Sequence, residues 1–193
     1  MRISIDFGIT VTDSLKKSSN GSIEHKMVLS NSEPCEDLVR SIFPEINFNE
    51  DLEHIAVTGG KHGNIGDHIN NTPVFHINEV DAIGEGAMHL SGIEKNKSSI
   101  IVSAGSGTAC IYAKDGKYLH CSGTGVGGGT VLGLSKLLLN TIDPKEIGEL
   151  ASRGNPRATD LIIEDVVSGP IGELPPDTTA VNFGRISKTN EAI

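Results

Sequence analysis

The chain has 193 residues, 37% of them hydrophobic, enough to fill the core of one ordinary domain or two small lobes. Its formal net charge of −9, with no run of five like charges, argues against a sequence-wide attraction for nucleic acid or an anionic membrane. Cys35, Cys110 and Cys121 are odd in number and lack C-x-x-C spacing, so neither a disulfide framework nor a zinc site is expected. The opening "MRISIDFG" is too polar and short for a signal peptide, and no apolar stretch reaches the roughly 18 residues of a membrane span. The expectation is a soluble cytoplasmic protein with reduced thiols.

Alternation from Ile3 to Phe7 predicts a strand, a tight turn at Gly8 and a second strand in "ITVT". "HKMVLS" reads as a third strand, and Leu38, Val39, Ile42 and Phe43 lie at helical spacing in "EPCEDLVRSIF". "HIAVTGGKHG" is a short buried strand running into a glycine turn, "GNIGDHIN" predicts a short helix and "PVFHI" another strand. A helix is expected from Asp81 to Leu90, with Asp81 a candidate N-cap. "SSIIVSAGSGTACIYAKDGKYLHCSG" reads as strands joined by turns, with Asp115-Gly116 a hairpin signal. "TVLGLSKLLLNT" and "DPKEIGELASRG" predict two helices, the second with Pro144 near its first turn. The tail from "GELPPD" is a loop leading to a helix start. Alternating strands and helices place the chain among α/β proteins.

Three turns share a composition: "DFGIT" at 6–10, "GSGT" at 105–108 and "GTGVGGGT" at 123–130. Each follows a predicted strand, where backbone N–H groups can hold an anion, and an Asp ending the first strand beside Gly and Thr can orient a hydrated magnesium ion near phosphates. The plainer alternative is that these glycines serve turns and close packing. Gly123, Gly125 and Gly128 also satisfy G-x-G-x-x-G, but no initial βαβ unit precedes them, and no G-K-[ST] follows for a P-loop.

The chain resembles the type II pantothenate kinases of the actin-like ATPase and sugar-kinase superfamily. The resemblance rests on "IDFGIT", "VTGG" at 57–60, "NEVDA" at 78–82, "SAGSGTACIY" at 103–112, "GTGVGGGTVLGL" at 123–134 and "TTAVNFG" at 178–184, in the family's order. It implies two RNase H-like lobes with mixed sheets flanked by helices, 1–78 carrying the phosphate turn and 79–193 forming an incomplete second lobe. It also implies ATP and magnesium in the cleft and phosphorylation of pantothenate or a related small-molecule hydroxyl.

The resemblance assigns Glu79 as the catalytic carboxylate and Asp6 as metal- and nucleotide-binding. Gly8, Thr10, Gly105, Gly107, Thr108, Gly127, Gly128 and Gly129 become further nucleotide-binding positions, and Ser106 and His120 substrate-binding ones. Without it, Glu79 reads as a surface charge, Asp6 as a turn residue, and Ser106 and Thr108 as turn hydroxyls. Four positions depart from the family pattern: Ile9 for a glycine, Asp13 for a lysine, His120 for an arginine and Ala109 for a serine. A β-branched residue resists positive φ, and histidine lacks arginine's permanent charge. Family members also continue well past "NFG". The expected partner is a small-molecule substrate, not nucleic acid or membrane, with the chain a homodimer or completed by another chain. The alternative class is a noncatalytic nucleotide- or acyl-CoA-binding relative that regulates a kinase.

Overall fold

In the computed structural model, which describes residues 1–48, 52–169 and 171–188, the Ile3, Ile5, Phe7 alternation forms β1 (Arg2–Phe7) with those three side chains buried. The opposite face of the strand carries Ser4 and Asp6, as the two-residue period requires. β2 (Val11–Lys17) and β3 (Ile23–Leu29) continue as an antiparallel meander. α1 (Glu36–Ile42) lies on the buried side, with Val39, Ile42 and the following Phe43 in the core. Each such large side chain contributes about 1.5–3 kcal/mol of burial free energy.

β4 (His54–Gly59) enters parallel to β1, and β6 (Thr72–His76) lies parallel to β4. The predicted helix in "GNIGDHIN" is replaced by a 3₁₀ turn at His62–Asn64 and the short strand β5 (His68–Ile69), antiparallel to β6. Lys61 and Asn70 bracket this segment at φ 55° and 52°, conformations a helix cannot contain. The sheet order is β3-β2-β1-β4-β6-β5.

α2 (Glu79–Ser91) begins two residues before the expected Asp81, because the Asn78 side chain accepts from the Val80 N–H at 2.9 Å and is the N-cap. Glu79 is thereby the first residue of a helix. β7 (Ser99–Ala104), β8 (Thr108–Lys114) and β9 (Lys117–Thr124) form an antiparallel three-stranded sheet. Its hairpin carries Asp115 and Gly116 at φ 50° and 69°, as the Asp-Gly signal requires. α2 packs on this sheet through Gly84, where an added Cβ would stand 2.2 Å from the Tyr118 ring. The Tyr118 hydroxyl donates to Glu85 at 2.6 Å, a bond that pushes the phenol up to about 12.

The helix after the glycine-rich loop is α3 (Gly128–Leu139), and the next is α4 (Pro144–Arg153), whose Asp143 cap accepts from the Lys145 N–H at 2.8 Å. The chain divides inside α3 into two compact units, Met1–Leu134 and Ser135–Ile193. The two larger sheets divide the first unit differently: the six-stranded sheet ends at His76 and the three-stranded sheet follows α2. In the second unit, β10 (Leu161–Ile162) pairs antiparallel with β11 (Thr179–Val181), and α5 (Ile163–Val166) follows β10 directly. A 3₁₀ turn at Ile186–Lys188 is the last element; the rest of the expected C-terminal helix start lies outside the described residues. No helix among the described residues is long and apolar enough to cross a membrane.

Candidate active site

β1 delivers Asp6 to the solvent-side face of the sheet, directly opposite Asp13 of β2 on one side and Thr58 of β4 on the other. Like charges facing each other across a strand pair are destabilising. Here the His25 ring bonds to Asp13 at 2.8 Å and partly offsets the repulsion. Gly59, at φ 84°, lies against Asp6: a Cβ there would meet the Asp6 Oδ1 at 2.4 Å and the Phe7 carbonyl oxygen at 2.6 Å. Only glycine lets the chain turn so close beneath this carboxylate.

Asp6, Asp13, His25, Thr58 and Glu79 line one cavity of about 720 Å³, between the sheet face and the first turns of α2. Leu15, Ala56, Ile77, Ala82 and Ile83 make much of its remaining wall apolar. Burial, then the charges of Glu79 and Asp13, push the Asp6 carboxyl up from its ordinary value even though the residue keeps solvent access. Two of the predicted residues, Asp6 and Glu79, are thus brought together. Asp13, His25, Thr58 and Gly59 belong to the same constellation and were not expected as site residues. The sequence signals Asp13 only as a departure from the family pattern and by its polar place in the two-residue period of β2; His25 and Thr58 depend on strand pairing.

The first turn, Gly8 to Thr10, is held by Ser30, whose hydroxyl donates to the Gly8 carbonyl at 2.7 Å and whose N–H donates to Thr10 O at 3.1 Å. Ile9 does not adopt positive φ, so the expected conflict between a β-branched side chain and this turn does not arise. Thr10 and Ser106 hydroxyls share a hydrogen bond at 2.9 Å, which brings the first turn and the 105–107 turn together.

Gly127, Gly128 and Gly129 of the 123–130 loop pack against the 105–107 turn. A Cβ on Gly127 would stand 2.8 Å from Gly105 O and from Gly107 C and Cα; one on Gly129 would stand 2.9 Å from Ser106 O. The Gly128 N–H donates to Gly105 O at 2.8 Å, Gly129 N–H to Ser106 O at 3.0 Å, and Gly127 N–H to Thr130 Oγ1 at 3.2 Å. As donors these three N–H groups are committed within the protein, those of Gly128 and Gly129 to the 105–107 turn and that of Gly127 to Thr130. The Thr108 hydroxyl is likewise engaged, donating to Val126 O at 2.8 Å. Among the described residues, no carbonyl accepts from the N–H of Ile9, Thr10, Ser106 or Gly107, and these are the backbone donors the two turns present. The loop follows an antiparallel hairpin strand rather than a parallel βαβ strand, which removes the dinucleotide reading of its G-x-G-x-x-G match. His120, exposed on β9, is not among the cavity-lining residues; it lies beside Gly123, where a Cβ would be 3.3 Å from its Nε2.

No group of three His, Cys, Asp or Glu side chains fit to hold a metal occurs among the described residues. Magnesium at a phosphate site needs only one or two carboxylates, with phosphate and water completing the shell. Asp6, with the buried and unpartnered Thr58 hydroxyl oxygen beside it in the cavity wall, fits that demand.

Residues 95–192 match the Fumble family model. A type II pantothenate kinase of Staphylococcus epidermidis is 30% identical over 188 residues, which cover 96% of this chain and 68% of that protein. Another, from Bacillus cereus strain G9842, is 31% identical over 147 residues, 75% of this chain and 54% of the relative. The chain thus spans between about half and two thirds of the length of these curated relatives. Among solved structures, a ROK family glucokinase from Streptomyces griseus in complex with glucose and AMPPNP aligns with TM-score 0.52 at 15% identity, covering 80% of this chain and 72% of that one. That likeness is one of fold, the actin-like ATPase and sugar-kinase α/β architecture. Identity at this level, spread over nearly the whole chain, settles the lineage: the chain belongs to the type II pantothenate kinase family.

Proposed function

We propose that the chain carries the phosphoryl-transfer site of a pantothenate kinase, moving the γ-phosphoryl group of ATP to the primary hydroxyl of pantothenate or a related small molecule. The observation that supports this most is the meeting of Asp6 and Glu79 in one cavity; the two glycine turns, joined by the Thr10–Ser106 hydrogen bond, lie outside its lining, the first of them two residues after Asp6. Glu79, at the open end of α2, accepts the proton of the acceptor hydroxyl as its oxygen bonds to phosphorus and the bond to the ADP oxygen breaks. Magnesium, when bound, neutralises charge on the transferring phosphates. Asp6 is the residue that would hold the metal. Gly8, Thr10, Gly105, Ser106 and Gly107 form the phosphate cradle, with Ser106 also close to the acceptor. Thr108 and Gly127 to Gly129 hold that cradle in shape. The lobe boundary near residue 78 and a cytoplasmic location belong to the same reading.

A noncatalytic binder is the competing reading, favoured by Asp13, an acidic group in a cavity where phosphate charge gathers. ADP release coupled to a reporter separates the two. The kinase reading expects release that requires magnesium, ATP and an acceptor together; nucleotide binding with no acceptor-dependent ADP would support the binder instead.

A further inference from the structure

Two of the three cysteines lie on neighbouring strands, Cys110 on β8 and Cys121 on β9, and the phosphoryl-transfer reading uses neither. The strands pair antiparallel, but the ladder skips a residue: Ile111 pairs with His120 and Cys110 with Ser122, so Cys121 is the extra residue of a β-bulge. A bulge sets two residues of one strand opposite one of the other and re-aims a side chain. Here it sets Cys121 and Ser122 together against Cys110. The Cys121 thiol donates to the Cys110 carbonyl oxygen at 3.2 Å, so its sulfur reaches across the strand pair to the residue that carries the second thiol. Residues opposite each other in an antiparallel ladder have Cα atoms about 4.5–5.5 Å apart, within the roughly 4.4–6.8 Å that a disulfide spans. Cys121 is exposed and Cys110 partly so, which leaves the pair open to a small oxidant. Cys35 is exposed as well, but it stands at the N-cap of α1, outside this sheet.

We propose that Cys110 and Cys121 form a peroxide-sensitive thiol pair whose disulfide braces the β8–β9 hairpin. The Cys121 thiolate attacks one oxygen of the peroxide: an S–O bond forms, the O–O bond breaks, and hydroxide leaves to become water, which makes Cys121 a sulfenic acid. The Cys110 thiolate then attacks that sulfur, the S–S bond forms, and the S–O bond breaks with loss of a second water. The two thiols give up two electrons and two protons in all, and the peroxide takes up both. The link closes the chain from 110 to 121 around the Asp115-Gly116 turn. It also fixes the register of the two strands whose other ends, paired as Thr108 and Thr124, lead into the 105–107 turn and the 123–130 loop. Its first effect is on stability, because the oxidised unfolded chain has lost the freedom of the closed loop. The pair acts in this way whether or not the neighbouring site transfers phosphate.

The test treats the full native chain with a small molar excess of hydrogen peroxide, blocks the remaining thiols with N-ethylmaleimide, and maps tryptic peptides by mass without reductant. Cleavage after Lys97, Lys114, Lys117 and Lys136 puts the two cysteines in separate peptides, 98–114 and 118–136. The expected result is these two peptides joined with the loss of two hydrogens, while Cys35 is recovered as its maleimide adduct. The oxidised chain should melt several degrees higher than the reduced one and return to its starting value with dithiothreitol. Cys110→Ser should abolish the link and leave on Cys121 a sulfenic acid that dimedone traps; the wild-type map and melt decide the matter even if this variant fails to fold. The inference is overturned if the two peptides stay unlinked, if Cys35 is oxidised before the pair, if the disulfides formed join two chains, or if the linked chain melts no higher than the reduced one.

Discussion

Replacing Gly127 with alanine separates packing from ligand contact in the glycine-rich loop. The added methyl would stand 2.8 Å from three backbone atoms of the 105–107 turn, against ordinary contacts that begin at 3.4 Å. None of those atoms is the free end of a side chain, so the loop or the turn must move by several tenths of an ångström. Overpacking of this kind costs about 1–3 kcal/mol. The shift also stretches the Gly128 N–H to Gly105 O and Gly129 N–H to Ser106 O bonds, each contributing about 0.5–1.5 kcal/mol. Together the loss should be about 2–4 kcal/mol, or about 4–16 °C in melting temperature for a chain of this size. Gly125 is the internal control: it lies in the same loop, and a Cβ there meets nothing within 4 Å. Urea and thermal melts of both variants, without nucleotide, are the assay. A Gly127→Ala protein within about 0.5 kcal/mol of wild type, or a Gly125→Ala protein equally destabilised, would refute the packing role.

Three further outcomes follow from the geometry. Thr10→Val and Ser106→Ala should show a coupling of about 1 kcal/mol in a double-mutant cycle, since each removes one half of the hydroxyl pair; additive losses would mean the two turns are not joined. Lys16, most of all, and also Lys26 hold the Glu45 carboxyl down at about 2. Its stabilisation should be fully present above pH 4.5 and lost as pH falls through about 2. Glu45→Gln should therefore cost at neutral pH no more than about 1 kcal/mol, because solvent screens this half-exposed group, and the cost should shrink to nothing in acid melts. Glu79→Gln should fold like wild type while its acceptor-dependent rate falls by about 10²–10⁴-fold; an unchanged rate would take the carboxylate out of the mechanism.

Local features of the fold were legible because their causes are local. The Ile3, Ile5, Phe7 period, the Val39, Ile42, Phe43 spacing, Asp115-Gly116 and the Asp143-Pro144 start each act within a few residues, and each element formed where expected. The "GNIGDHIN" segment misled because Ile65 and Ile69 sit four apart, which mimics a helix. Both are buried, one after a 3₁₀ turn and one in a strand. The start of α2 was legible in Asn78, which outcompetes Asp81 as a cap because its side chain reaches the Val80 N–H. The partner of the glycine-rich loop was not legible, since the Gly127 to Gly129 contacts run to a turn some twenty residues upstream and are almost all to backbone atoms. Nor was the Asp6, Asp13, His25 cluster, which exists only once β1, β2 and β3 pair in register.

The most direct measurement is transfer of the γ-phosphoryl group itself: the chain is incubated with γ-labelled ATP, magnesium and pantothenate, and the labelled product is identified by mass. The account predicts label on the acceptor's primary hydroxyl and its loss in Glu79→Gln. Label that remains on ATP or appears only as inorganic phosphate would contradict it.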